Sequence, residues 1–187
     1  MRFLVRLVPQ GGDRAVLLST VRSVAANLGG SAVNPKWTSY GALEIDIFAP
    51  SRQDFEVVMA AIAPLIHDIE FAKDLQEVPP FLPKERAIDE AVALFNGERF
   101  WEAHEVLESL WRVAEGAEKK LLQGLILVCA AFVHHQKDES KVALGVARRA
   151  LPLLIWTDPT YYVIDVVQVR DRVTLMVEDG TLFLFRL

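Results

Sequence analysis

The stretch "FNGERFWEAHEVLESLWR", residues 95–112, places one histidine, four glutamates and two arginines among aromatic anchors. Asn96-Gly97 reads as a left-handed exit from one helix, and the run after it as the start of the next. At about 100° per residue, Phe100, Leu107 and Trp111 fall within roughly 40° of one another. His104 sits just beside that arc and Glu108 about 40° further on, followed by Trp101, Arg112 and Glu105. His104 and Glu108 therefore stand where an apolar face meets a polar one, whereas Glu102 points away.

Working outward, the chain is helical on both sides of this stretch. "PKERAIDEAVALF" opens with a proline before its first turn and ends at Asn96-Gly97. "AEKKLLQGLILVCAAFVHHQK" is the most apolar segment, as a central helix touched on several sides should be. "ESKVALGVARRALPLLIW" follows, with Pro152 limiting its last turn. Short links between the segments predict an antiparallel four-helix array. Gln123, Leu127, Ala130 and His134 share one stripe of the central helix, so an antiparallel neighbour would bring His134 towards His104 and Glu108.

Upstream, "RFLVRLV" reads as a strand, and Asp13 caps the helix "RAVLLSTVRSVAANL", which Gly29-Gly30 ends. Two strands follow, the second alternating Leu43, Ile45 and Ile47 against Glu44, Asp46 and Phe48. Ser51 and Asp54 start another helix, and "DIEFAKDL" makes a last strand. The order β-α-β-β-α-β predicts a ferredoxin-like segment. Prolines 79, 80 and 83 set apart a stiff connector. Downstream, "VIDVVQV", "RVTLMVE" and "TLFLFRL" alternate, and Asp179-Gly180 reads as a hairpin, which predicts a three-stranded antiparallel β-meander. Phe183, Phe185 and Leu187 share one of its faces. The expected fold class is α+β. Its divisions are a ferredoxin-like segment over 1–77, a connector over 78–84, helices over 85–157 and the meander over 158–187, which could pair with the N-terminal sheet.

Composition narrows the function classes. The chain has 187 residues, 52% of them hydrophobic, so it can bury a sizeable core. A net charge of −5 repels phosphate backbones, and Lys119-Lys120 and Arg148-Arg149 are pairs rather than a basic stripe, so nucleic acid is an unfavoured partner. The single cysteine, Cys129, lies in "LILVCAAFV" and reads as an inert core thiol. The apolar run "GLILVCAAFV" is about half of a membrane span, and the N-terminus lacks a signal-like apolar core, so no membrane partner and a cytoplasmic setting are expected. His67 and Asp68 read as a dipole-stabilised helix end.

Three uses of the polar seam follow. Nitrogen and oxygen donors of His104, Glu105, Glu108 and His134 suit a divalent metal, with His104, Glu108 and His134 as the ligand candidates. Glu108 could act as a base, with His104 and Glu105 beside it, if burial drew its pKa towards neutrality. Mutually satisfied His and Glu could instead fix helix register. No GxSxG elbow, Gly-rich phosphate loop or HExxH motif is present. No cofactor beyond a divalent metal is implied. The leading expectation is a structural or binding module, with a protein partner or a second copy as its counterpart; the alternative is a metal-dependent or acid–base, hydrolase-like enzyme.

"FNGERFWEAHEVLESLWR", "LLQGLILVCAAFVHH" and "ARRALPLL" together resemble the family called domain of unknown function 309, over about Glu85 to Leu154. The motif positions matched are Phe95, Asn96, Gly97, Phe100, Trp101, Glu102, His104, Glu105, Leu107, Glu108 and Trp111. They continue at Gln123, Gly124, Leu125 and His134, then at Arg149, Ala150 and Leu151. Leu127 stands where the family often has a second Gln, and "QKDES" replaces a Gly-Asn turn. The resemblance implies a helical fold and no particular reaction.

Overall fold

The computed structural model describes residues 1–76 and 82–187, which divide into two compact units, Met1–Pro80 and Phe81–Leu187. Residues 78–81 of the expected connector lie outside the described residues, and Lys84, placed at its end, is instead the first residue of a helix. No helix among the described residues is long and apolar enough to cross a membrane.

The first unit runs β1 (Arg2–Pro9), α1 (Arg14–Asn27), β2 (Ser31–Trp37), β3 (Leu43–Phe48), α2 (Arg52–Ile62) and β4 (Ile66–Asp74). Its four strands form one antiparallel sheet in the order β2-β3-β1-β4. Asp13 accepts from the Ala15 N–H to start α1, and Ser51 accepts from the Asp54 N–H to start α2. Period-2 alternation turns Phe3, Val5, Leu7, Leu43, Ile45 and Ile47 onto Leu17, Val21 and Ala25 of α1 and Phe55, Val58 and Ile62 of α2. Phe3 and Phe55 stack with centroids 3.9 Å apart.

The alternate residues do not simply face water. Arg6 stands opposite Glu44 in the β1–β3 register and donates to it at 2.8 Å; Lys36 reaches the other oxygen of the same carboxylate. Arg6, Lys36 and Glu44 are all buried, so this is an ion triad out of water rather than a solvated face. His67 lies exposed in β4, not at a helix end, because the chain turns extended at Ile66 after the short 3-10 turn Ala63–Leu65.

The second unit contains α3 (Lys84–Asn96), α4 (Phe100–Val113), α5 (Gly116–His135), α6 (Ser140–Ala150), β5 (Thr160–Tyr161), β6 (Ile164–Asp165) and α7 (Val166–Asp179). Links of two to four residues fold α4, α5 and α6 each back on its predecessor. α5 is buried on several sides through Leu121, Leu122, Leu125, Val128, Cys129, Phe132 and Val133.

The C-terminal meander does not form. Residues 166–179 are a helix, and the strands there shrink to a two-residue pair, Tyr161 against Ile164 and Thr160 against Asp165. The physical reason is capping. Asp165 accepts from the Gln168 N–H at 2.8 Å, and Gly180, at φ 68°, closes the other end with its N–H on the Met176 carbonyl. Val166, Val169, Val173 and Met176 then sit on one helical stripe and join the core of the other helices. All four strands of this sheet come from residues 2–74. Among the described residues, α3 to α6 are the four helices expected over 85–157, and α7 adds a fifth from the C-terminal segment.

Candidate functional site

α4 positions the residues singled out by the sequence. Glu102 in its first turn and Arg112 in its last complement the helix dipole. Phe100, Ala103, Leu107 and Leu110 bury one face, where Phe100 meets Phe95 edge-on and stacks against Phe132. Glu102 is itself buried and takes both Nε and Nη2 of Arg99, at 2.6 and 2.7 Å, which leaves it outside the polar cluster.

The cluster comprises His104, Glu105 and Glu108, whose donor atoms all lie within 4.8 Å of one another. His104 Nδ1 is 3.5 Å from Glu105 Oε1 and 4.0 Å from Glu108 Oε2. That nitrogen is buried and, among the described residues, has no hydrogen-bond partner. Its imidazole lies flat along the Trp101 indole, 6° from parallel with centroids 5.3 Å apart, which fixes the ring plane. Glu108 divides its oxygens: Oε1 accepts from Arg112 Nη2 at 2.9 Å, and Oε2 faces His104. The Arg112 hydrogen bond holds the Glu108 carboxyl below its ordinary range.

A general base at neutrality needs a carboxyl drawn upwards, and Arg112 draws this one down. His134 is not part of the cluster of His104, Glu105 and Glu108 among the described residues. His134 Nδ1 pairs with Glu139 Oε2 at 2.5 Å across the α5–α6 link. Gln123 is exposed on α5. Trp111 sits partly buried, its indole N–H without a partner among the described residues, and Lys119 lies over its ring at 4.7 Å. Cys129 is buried, and desolvation pushes its thiol up to about 12.

Four polar contacts were not legible as partners in the sequence. Gln136, buried, donates from Nε2 to the Glu98 carbonyl at 2.9 Å and so ties the end of α5 to the α3–α4 link. Glu118 accepts from Lys84 and, at 2.8 Å, from the Tyr161 hydroxyl. Asn96 binds the main chain of Leu187. Each pairs residues at least 34 positions apart, which no local pattern encodes.

Residues 88–146, which contain α4 and the cluster, match the family model described as Domain of unknown function (DUF309). The chain is also similar to a conserved hypothetical protein of Thermus thermophilus, known from its crystal structure, with 28% identity and a TM-score of 0.43. That similarity covers 52% of this chain and 99% of the other. No curated protein matches.

Proposed function

With residues 88–146 as its family segment, we propose that the helical unit is a non-catalytic binding module whose α4 corner takes a divalent cation. The observation that supports this most is the buried Nδ1 of His104, without a hydrogen-bond partner among the described residues and flanked by carboxylate oxygens at 3.5 and 4.0 Å. A tetrahedral centre with bonds near 2.0–2.1 Å separates its ligands by about 3.3–3.4 Å, close to these spacings. His104, Glu105 and Glu108 would be the ligands, and Arg112 would orient Glu108 from behind. Zinc or manganese suits this donor set. Three ligands from one helix leave coordination positions for a group on a partner, which suits capture rather than turnover. His134 is left out of the set because Glu139 holds it.

The sheet order β2-β3-β1-β4 supports reading the first unit as ferredoxin-like, a scaffold whose fold by itself implies no particular function.

Thermal unfolding with added zinc or manganese tests the reading. The wild type gains about 2.7 kcal/mol at a metal concentration 100 times the Kd, whereas His104→Ala gains nothing. Unfolding unaffected by either metal, with a loss of about 1–3 kcal/mol in the variant, would assign His104 to scaffolding on Trp101 instead.

A further inference from the structure

Glu108 offers the α4 corner one oxygen, not two. Its Oε1 accepts from Arg112 Nη2 at 2.9 Å, and its Oε2 lies 4.0 Å from His104 Nδ1. Arg112 stands one turn along the same helix, so α4 sets this division by itself. A carboxylate held at one oxygen by an arginine is a single-atom ligand. Chelation would require Oε1 to leave the guanidinium for the metal.

The mode of ligation decides which cations fit. Calcium fills about six to eight positions with oxygens and draws on bidentate carboxylates, and manganese takes oxygen-rich octahedral shells. Zinc closes a tetrahedron with single-atom donors, imidazole nitrogen among them. Spacing separates these classes as well. Octahedral magnesium, with bonds of about 2.0–2.1 Å, puts neighbouring donors about 2.9 Å apart, against about 3.3–3.4 Å around tetrahedral zinc. The corner holds its carboxylate oxygens 3.5 and 4.0 Å from the imidazole nitrogen, on the tetrahedral side of that range.

Resting on the cation reading of this corner, we infer that Arg112 is its specificity-determining residue. By occupying Oε1 of Glu108 it restricts the site to a tetrahedral cation of the zinc kind and disfavours six-coordinate ions such as manganese. Arg112 touches no metal in this arrangement and acts only through the carboxylate that it holds.

Isothermal titration of the full chain with zinc chloride and with manganese chloride, in wild type and Arg112→Ala, tests this. The Arg112 side chain is 67% exposed and its ion pair is a surface one, so the variant keeps its fold. The wild type binds zinc more tightly than manganese. In Arg112→Ala that preference falls by at least ~10-fold, because the freed Oε1 lets Glu108 chelate an octahedral ion. Loss of the positive charge alone would raise both affinities by one factor, so a zinc-to-manganese ratio within ~2-fold of wild type overturns the inference and leaves the cation corner standing. Manganese bound by neither form overturns it in the same way. A wild type that takes up no zinc overturns both the inference and the cation reading.

Discussion

Arg112 Nη2 donates to Glu108 Oε1 at 2.9 Å, one helical turn away, and leaves Oε2 turned towards His104. The pair thus decides which oxygen of Glu108 is available and keeps the carboxyl ionised. Because the folded-state pKa lies below the ordinary 4.5, the pairing adds stability above that pH and loses it as acid protonates the group. In Arg112→Ala, the Glu108 carboxyl resonance should titrate at a higher pH than in wild type. An unchanged midpoint would show that Arg112 does not control it.

Glu44 is the shared partner of two buried cations, Arg6 and Lys36. Glu44→Ala removes that carboxylate from both, at a cost of about 3–5 kcal/mol. Urea unfolding of the variant measures the loss, and a change within ~0.5 kcal/mol would mean the triad is solvated in solution.

Tyr161 is buried and donates to Glu118; burial first, then that hydrogen bond, hold the phenol above its ordinary 10.0. A raised folded-state pKa contributes stability that is intact below about pH 10 and declines as pH rises beyond it. Tyr161→Phe should cost about 1 kcal/mol at neutral pH. It should also flatten the loss of stability seen in wild type above pH 10 in urea titrations.

Gly30 follows α1, and a Cβ built there would lie 2.2 Å from the Phe48 carbonyl oxygen. The obstacle is main chain and cannot swing aside. Gly30→Ala should therefore destabilise by about 1–3 kcal/mol, read from the urea midpoint of the mutant.

Cys129 should resist a thiol reagent at pH 8 in the folded protein and react fully once unfolded, since its pKa is pushed up to about 12 and it is buried. Rapid native-state modification would place the thiol at a surface.

Helices with clear caps or breakers were legible: Asp13, Ser51, Asn96-Gly97 and the amphipathic α4 all follow from local chemistry. Over residues 163–187, valine content and Asp179-Gly180 imitate hairpin signals, and the expected meander was wrong for that reason. The same Gly180 serves equally as a helix C-cap, and Asp165 as its N-cap, with the valines at positions 166, 169 and 173 on a helical period. Alternation in Phe183, Phe185 and Leu187 was real, but its partner surface is helical. At the candidate site, the adjacency of His104, Glu105 and Glu108 follows from α4 alone, so the sequence carried it. His134 required a tertiary register between α4 and α5, and Glu139, five residues ahead, competed for it successfully.

Gly124 is a notch in the most enclosed helix. With no side chain there, the turn at Leu153 and Leu154 comes so close that a Cβ would meet it at 3.1 Å. Sliding α5 by one turn, about 5.4 Å, would present Lys120 or Val128 to that turn, and neither can be accommodated so near. A missing methyl group thus acts as an index mark, holding the rod that carries Phe132 and His134 at a single axial setting.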